Sequence, residues 1–395
     1  MRVLFIHNQY RQPGGEDVAL ELESTLLKER GHEVTTVLFS NDEAAGFGGA
    51  LRSGMNAIYN KRSAQKVKEA IKEFKPDIIH VHNWFFAASP SVFYAASKEK
   101  LPVIMTIHNY RMICANALLL RDNHPCELCV NKTYPVDGIR YKCYRNSASQ
   151  SALVTAITSI HKSLHTWQRK VNNYIVLTPF AKSRLAGSSF KVEPERMIIK
   201  PNFIPDPGQG TLPREDFFLF AGRLSVEKGV HVLMQAFSAL PDAKLVVIGE
   251  GEEKESLIQQ YASAGNITFA GKRSRPELLD MMKKCRAVIF PSIWYEGLPF
   301  IILEAFATGT PVIASQLGAM AEAITHGYNG LHFVPGDVDG LRQAVQTAAQ
   351  TSPATEQMYA NARATYLEKY HPDIHYTSIL SIYEKTIANS KSSNG

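Results

Sequence analysis

Two α/β domains, each built on a doubly wound parallel sheet, are predicted by three observations. Short apolar runs rich in β-branched residues recur along the chain and alternate with stretches of helical period, the pattern of strands buried on both faces and joined by crossover helices. The chain has 395 residues, 45% of them hydrophobic, which is too long for one ordinary core and too apolar for disorder. A Pro- and Gly-rich stretch at 201–214 separates two such cycles and reads as the interdomain linker. The expected units are residues 1–200, residues 201–370, and a C-terminal helix with a frayed polar tail at 371–395.

In chain order, residues 3–7 read as the first strand. The Gly14-Gly15 turn and a helical pattern over 18–29 follow, with Gly31 placed as the glycine that ends a helix. Residues 34–39, 78–82 and 103–108 are further strands. A long loop with four cysteines interrupts the rhythm at 110–150. Residues 151–171 carry Ile157, Ile160, Leu164 and Trp167 at helical spacing and predict one amphipathic helix. A strand at 174–177 and a helix from Pro179 close the first cycle. The second cycle places strands at 217–221, 245–248, 267–269, 287–290, 312–314 and 331–333. From His371 onward, Leu380, Tyr383 and Ile387 again mark a helix. Such domains are Rossmann-like, and ligands bind them where strands end.

Net charge is +6, unevenly spread. Residues 1–190 hold 24 Lys and Arg against 15 Asp and Glu, a balance of +9; the remainder balances at −3. The basic half suits anionic lipid headgroups or a phosphate-bearing acceptor, or is simply a solvated surface. No RNP, zinc-finger or helix-turn-helix pattern is present, so nucleic acid is not an expected partner. The longest apolar runs fall well short of the roughly 20 residues a membrane span needs. The N-terminus reads as a strand rather than a signal peptide. The expected location is cytoplasmic, with peripheral contact at the inner membrane face.

Four features at strand ends carry the chemistry. Pro13-Gly14-Gly15 lies between the first strand and a helix, where backbone N–H groups and the helix terminus favour an anion. Gly222-Arg223-Leu224-Ser225-Val226-Glu227-Lys228-Gly229 follows a strand and brings two cations toward one turn, where they can hold a diphosphate and stabilise it as it departs. Glu296-Gly297-Leu298-Pro299-Phe300-Ile301-Ile302-Leu303-Glu304 places carboxylates either side of an apolar run. If a helix opens at Pro299 or Phe300, Glu304 is partly buried and needs a partner such as a ribose diol. His108, at a strand's carboxyl end and followed by Asn109, can donate to a sugar hydroxyl or shuttle a proton. His7, His80 and His82 also end strands; His80 and His82 read as core or cleft-lining. The ordinary alternatives are solvated charges for Arg223 and Lys228 and a helix-dipole partner for Glu304.

Taken together, the Gly-Arg-x5-Gly segment at 222–229, Gly249-Glu250-Gly251, the Glu-x7-Glu spacing of Glu296 and Glu304, and Gly309-Thr310-Pro311-Val312 resemble the family 4 retaining glycosyltransferases of GT-B fold, over essentially the whole chain. The resemblance implies two Rossmann-like domains facing a central cleft, with the C-terminal helix crossing back to the first. It implies an N-terminal acceptor-binding domain and a C-terminal domain for the nucleotide sugar, a UDP- or GDP-sugar used as substrate, with no cofactor. Arg223, Lys228 and Gly15 would meet the donor diphosphate. Glu304 would bind the ribose. Glu296, with Gly297, Leu298 and Pro299, would bind the sugar, and His108 would reach it, making His108 and Glu296 the catalytic pair. Transfer would retain the anomeric configuration without metal, to a glycan or lipid-linked acceptor of surface polysaccharide assembly. Leu298-Pro299 where the family often has Phe-Gly, Phe203 after Pro201-Asn202, and Glu252 after Gly251 bear on sugar and base identity. A nucleotide-sugar epimerase of the same fold and a non-catalytic sugar-nucleotide-binding protein are the alternatives.

Two features stand apart. Cys114, Cys126, Cys129 and Cys143 have spacing that a structural zinc ion could use, with plain reduced thiols or a disulfide as the alternatives. Asp337-Val338-Asp339 is an acidic pair that a turn and helix start would explain, with a carboxylate site bridging a cation to the diphosphate as the rival reading.

Overall fold

The computed structural model describes residues 1–10, 14–41 and 50–394. Pro13 of the first glycine turn lies outside them. The chain divides into two compact units. The first holds Met1–Leu119, Cys126–Asn202 and the chain from His375; the second holds Leu120–Pro125 and Phe203–Ile374.

The first unit begins with β1 (Arg2–Gln9), α1 (Gly15–Glu29), β2 (Glu33–Ser40), α2 (Ala50–Ile58), α3 (Lys61–Phe74), β3 (Ile78–Asn83), α4 (Ser91–Lys98) and β4 (Val103–Ile107). The two short strands β5 (Leu120–Arg121) and β6 (His124–Pro125) pair antiparallel and fall in the second unit. Then come α5 (Val136–Arg140), α6 (Ala148–Ser163), α7 (Thr166–Lys170), β7 (Asn173–Val176), α8 (Pro179–Ala186) and β8 (Met197–Ile199). The sheet order is β2-β1-β3-β4-β7-β8, all parallel. Gly31 adopts φ +82° just past α1, as its placement predicts. The strand β8 was not foreseen: Met197-Ile198-Ile199 is too short to stand out by periodicity.

Two other expectations need correcting. The single helix over 151–171 is two, α6 and α7, because His165 takes φ +53° and redirects the chain. Ile157 and Trp167 are buried, but Leu164 is 55% and Ile160 36% exposed, so the predicted stripe faces two ways. The polar tail continues the last helix, α16 (Pro372–Asn394).

The second unit runs β9 (Phe218–Ala221), α9 (Val230–Ser238), β10 (Leu245–Ile248), α10 (Lys254–Gln260), β11 (Ile267–Gly271), α11 (Arg275–Met282), β12 (Ala287–Phe290), α12 (Phe300–Ala307), β13 (Val312–Ser315), α13 (Gly318–Ala323), β14 (Gly330–Phe333), α14 (Val338–Ala349) and α15 (Pro353–Lys369). Its order is β11-β10-β9-β12-β13-β14, again all parallel. Each sheet reverses its winding beside its first strand, between β1 and β3 and between β9 and β12. A ligand site is expected at such a switch point.

Each unit has its own core. Phe218, Phe220, Leu233, Phe237, Val247 and Ile289 are among those of the second. In the first, Val3, Phe5, Leu20, Leu27, Ile78, Ile104 and Ile175 pack with Ile379, Ile382 and Tyr383 of α16. The last helix therefore completes the first core, as the resemblance implies.

Candidate active site

In the second unit the loops after β9 and β10 are zipped together. Gly222 N–H donates to the Ile248 carbonyl at 3.0 Å and Leu224 N–H to that of Glu250 at 2.9 Å. The approach is so close that a Cβ on Gly249 would sit 1.8 Å from the Gly222 oxygen, and one on Gly251 2.2 Å from the Leu224 oxygen. At the other end of the turn, Gly229 adopts φ +71°, and a Cβ there would lie 1.9 Å from the Pro291 oxygen. The glycines of both motifs thus hold three strand-end loops in contact, at the switch point between β9 and β12.

That packing delivers Lys228 to Glu296. Lys228 Nζ donates to Glu296 Oε1 at 2.6 Å, and Ser292 Oγ donates to the same oxygen at 2.8 Å. Lys228 also lies over the rings of Phe290 and Trp294 at 5.4 and 5.5 Å. Glu296 is only 6% exposed, so its charge is matched by a partner as burial requires. Arg223 is exposed and has no ion-pair partner among the described residues. Pro299 precedes α12, which starts at Phe300 and buries Glu304. Burial raises the Glu304 carboxyl above its usual range, and Arg275, whose Nε stands 3.0 Å away, opposes the rise. Leu298 is buried; Gly297 and Pro299 are half-buried. Lys228 and Glu296 are therefore in direct contact, whereas Glu304 is paired with Arg275 and Arg223 with no acid among the described residues.

Elsewhere in this unit, Asp337 precedes α14 and Asp339 pairs with Arg342 at 2.9 Å.

In the first unit, Gly15 opens α1 and is exposed, but the neighbouring Gly14 N–H already donates to Asp17 Oδ2 at 2.8 Å. Asp17 also meets His7 Nε2 at 3.0 Å, and Asn109 donates to Glu16. The N–H of Gly14 is thus not open to an anion. His108 is half-buried beyond β4, its Nε2 3.1 Å from His82 Nδ1. Burial, reinforced by His82, holds its pKa well below the histidine range, so it is neutral at pH 7.

Behind these rings lies a buried carboxylate that sequence reasoning missed. Glu23 Oε2 accepts from Lys200 Nζ at 2.9 Å and lies 2.9 Å from His375 Nε2. Its Oε1 lies 3.0 Å from His80 Nδ1 and 3.5 Å from His82 Nε2. Tyr383 Oη and Thr106 Oγ1 flank His80, each at 2.8 Å. Burial alone would raise the Glu23 carboxyl; Lys200 and His80 outweigh it and hold it well below the carboxylate range. The signal was available, since Glu23 interrupts the apolar stripe of Leu20, Leu26 and Leu27 on α1. Its partners, Lys200 just past β8 and His375 of α16, were not. Glu23, His80 and His82 are also the trio of possible metal-ligand atoms within 4.8 Å of one another among the described residues. Lys200 already balances that carboxylate.

The five cysteines are free thiols; Cys114, Cys129 and Cys285 are buried and Cys126 and Cys143 half-buried. Burial, with Cys114 and Cys143 nearby, pushes Cys129 up to about 12. The sulfur atoms do not form a trio at ligand distance.

Residues 13–206 match the family model "Glycosyltransferase Family 4" and residues 206–365 match "Glycosyl transferases group 1". An uncharacterized glycosyltransferase of Methanocaldococcus jannaschii, MJ1607, is 30% identical over 181 residues, 44% of this chain and 46% of the relative. Glycogen synthase of Mycobacterium tuberculosis is 36% identical over 151 residues, 36% of each. The chain thus spans less than half the length of these curated relatives. Among solved structures, Anabaena Alr3699/HepE in complex with UDP superposes with a TM-score of 0.69 at 17% identity, covering 97% of this chain and 100% of that one. The two family models meet at residue 206 and leave unmatched only the first dozen and last thirty residues, so the chain belongs to the GT-B-fold glycosyltransferases, of family 4 type in its first half and group 1 type in its second.

Proposed function

We propose that the chain transfers a glycosyl group from a nucleotide sugar, UDP- or GDP-linked, to a glycan or lipid-linked acceptor of surface polysaccharide assembly. The observation that carries this reading is the Lys228–Glu296 contact at the β9/β12 switch point, flanked by exposed Arg223. Lys228 has three donors, so it can keep Glu296 while offering another to a phosphate oxygen. Arg223 adds a planar fork for the same diphosphate. Both gain strength as negative charge develops on the leaving group, and these cations are proposed to take the place of a metal ion. Glu296 and the Gly297-Leu298-Pro299 turn receive the sugar, and Glu304, released from Arg275, receives the ribose. Gly15 is assigned to the phosphate or the acceptor, and His108 to the transferred sugar. Transfer proceeds with retention, by departure and attack on one face.

The UDP held by the Anabaena neighbour supports a uridine donor. The first unit is proposed to take the acceptor and to rest on an anionic membrane at the cytoplasmic face. Trp167, part of the sequence argument for that contact, is buried against Trp84 and Phe93 and cannot insert. Support comes instead from α2 and the turn after it, where Met55 is 65% and Tyr59 43% exposed beside exposed Lys61 and Arg62. No described helix is long and apolar enough to cross a membrane. A panel of UDP-, GDP- and ADP-sugars decides the reading. One donor should raise the melting temperature and be consumed when acceptor lipid is supplied; a protein that neither binds nor consumes any of them would overturn it.

A further inference from the structure

The buried network of the first unit reaches His108 through a chain of ring nitrogens. Glu23 stands at its inner end, His82 in the middle and His108 at its outer end, where Nδ1 has no partner among the described residues. The proton on each ring has two possible positions. Either His82 carries it on Nδ1 and donates outward, or it carries it on Nε2 and accepts at Nδ1 from His108.

The carboxylate decides between them. His82 Nε2 is buried without a hydrogen-bond partner among the described residues, and Glu23 Oε1, also without one, stands 3.5 Å from it. A bare Nε2 would turn a lone pair on an ionised carboxylate in a dry interior, leaving both atoms uncompensated. A proton on Nε2 removes that conflict. Glu23 stays ionised because Lys200 donates to it and is buried beside it. His80 brings its Nδ1 within 3.0 Å of the carboxylate, but its two nitrogens are hydrogen-bonded to Tyr383 Oη and Thr106 Oγ1. His375 approaches Oε2 from α16, and His7 is held by Asp17, so none of these takes over the place of His82.

We propose that Glu23 is a positioning residue that selects the nitrogen His108 presents. With its proton held on Nε2, His82 accepts at Nδ1 from His108 Nε2–H, and His108 is left with a bare Nδ1. His108 thereby becomes a hydrogen-bond acceptor at Nδ1 toward a substrate hydroxyl, and not a donor. This deepens the proposed function, since it rests on His108 serving the transferred sugar.

The test begins with the unaltered protein. Long-range proton–nitrogen correlation spectra of the ¹⁵N-labelled full chain at neutral pH should show His82 and His108 each protonated on Nε2 and bare on Nδ1. A proton on Nδ1 of His108 would overturn the proposal, with no variant required. The second arm is the double variant Glu23→Gln with Lys200→Met, which removes the carboxylate without stranding the ammonium. A Gln amide can turn either face to His82, so His108 should lose its single tautomer. Turnover should fall about tenfold, as when an orienting partner of a histidine is removed, with the donor KM within about twofold. A folded double variant with an unchanged ring spectrum would also overturn it. The spectrum is read without substrate, so a protein inactive toward every nucleotide sugar would defeat the proposed function and leave the proton assignment to its own result.

Discussion

At the scale of single residues, Lys228 and Arg223 differ in a way that matters. Lys228 is tied to Glu296 and to two aromatic faces, while Arg223 is exposed and unpaired among the described residues. Lys228→Ala therefore strands a buried carboxylate as well as removing a charge, and Arg223→Ala does only the latter. Both variants are expected to lower turnover by about 10²–10³, the usual cost of one preorganised charge partner. Only Lys228→Ala should also lower the melting temperature. Steady-state kinetics and calorimetry on the two proteins check this, and turnover within a few-fold of the parent in both would refute the donor-site assignment. Gly249→Ala is expected to abolish soluble expression or donor binding, because a Cβ there meets the Gly222 carbonyl and backbone cannot yield as a side chain can. A circular-dichroism melt matching the parent would contradict that.

At the scale of elements, α16 stands out. It supplies Ile379, Ile382 and Tyr383 to the first core and His375 to Glu23, across nearly the full length of the chain. Tyr383→Ala should cost about 3–5 kcal/mol, the range for truncating a buried aromatic, measured by denaturant titration. A loss below about 1 kcal/mol would show that the helix is only docked on the surface of that core. The neighbouring Leu20-Glu23-Leu27 face of α1 shows why such a helix is needed. A buried carboxylate demands compensating groups, and these come from Lys200 and His375, far away in sequence.

For the whole molecule, the buried histidines set a direction for pH dependence. Burial, aided by His80, pushes His82 down to about 3; burial, aided by Lys200, pushes His375 down to about 4. An unfolded histidine titrates near 6.5, so between about pH 6.5 and 4 the unfolded chain binds more protons than the folded one. Stability is then complete above pH 6.5 and falls as pH drops, by about 1.4 kcal/mol per pH unit for each such histidine. Glu23 acts in the same sense at lower pH, since its depressed carboxyl stabilises above the ordinary value and is lost as pH falls through the folded one. Melting temperature should therefore decline steeply from pH 6.5 to 5, and a flat profile there would contradict the buried network. Two further outcomes belong at this scale. Transfer should survive EDTA, and complete loss restored by Mg²⁺ or Mn²⁺ would refute a metal-free donor site. Vesicle binding should rise with anionic lipid, fall with salt and weaken in Met55→Ser with Lys61→Glu; equal partitioning to neutral vesicles would contradict it.

The two parallel sheets and the positions of the strand-end segments at 222–229 and 296–304 could be read from the chain alone. Period, glycine placement and charge spacing are local quantities and are legible along the chain. The same reading missed β8, which is too short for a period, and it merged α6 with α7, because one left-handed residue leaves no mark on hydrophobic spacing. Folding in three dimensions was needed to bring Lys228 to Glu296, Glu304 to Arg275 and Asp17 to Gly14, and to bury Trp167. It alone brought Glu23, His80, His82, Lys200, His375 and Tyr383 to one buried point. These residues come from four separate stretches of chain, and what gathers them is the need of a desolvated charge for partners, a condition met across space and not along the sequence.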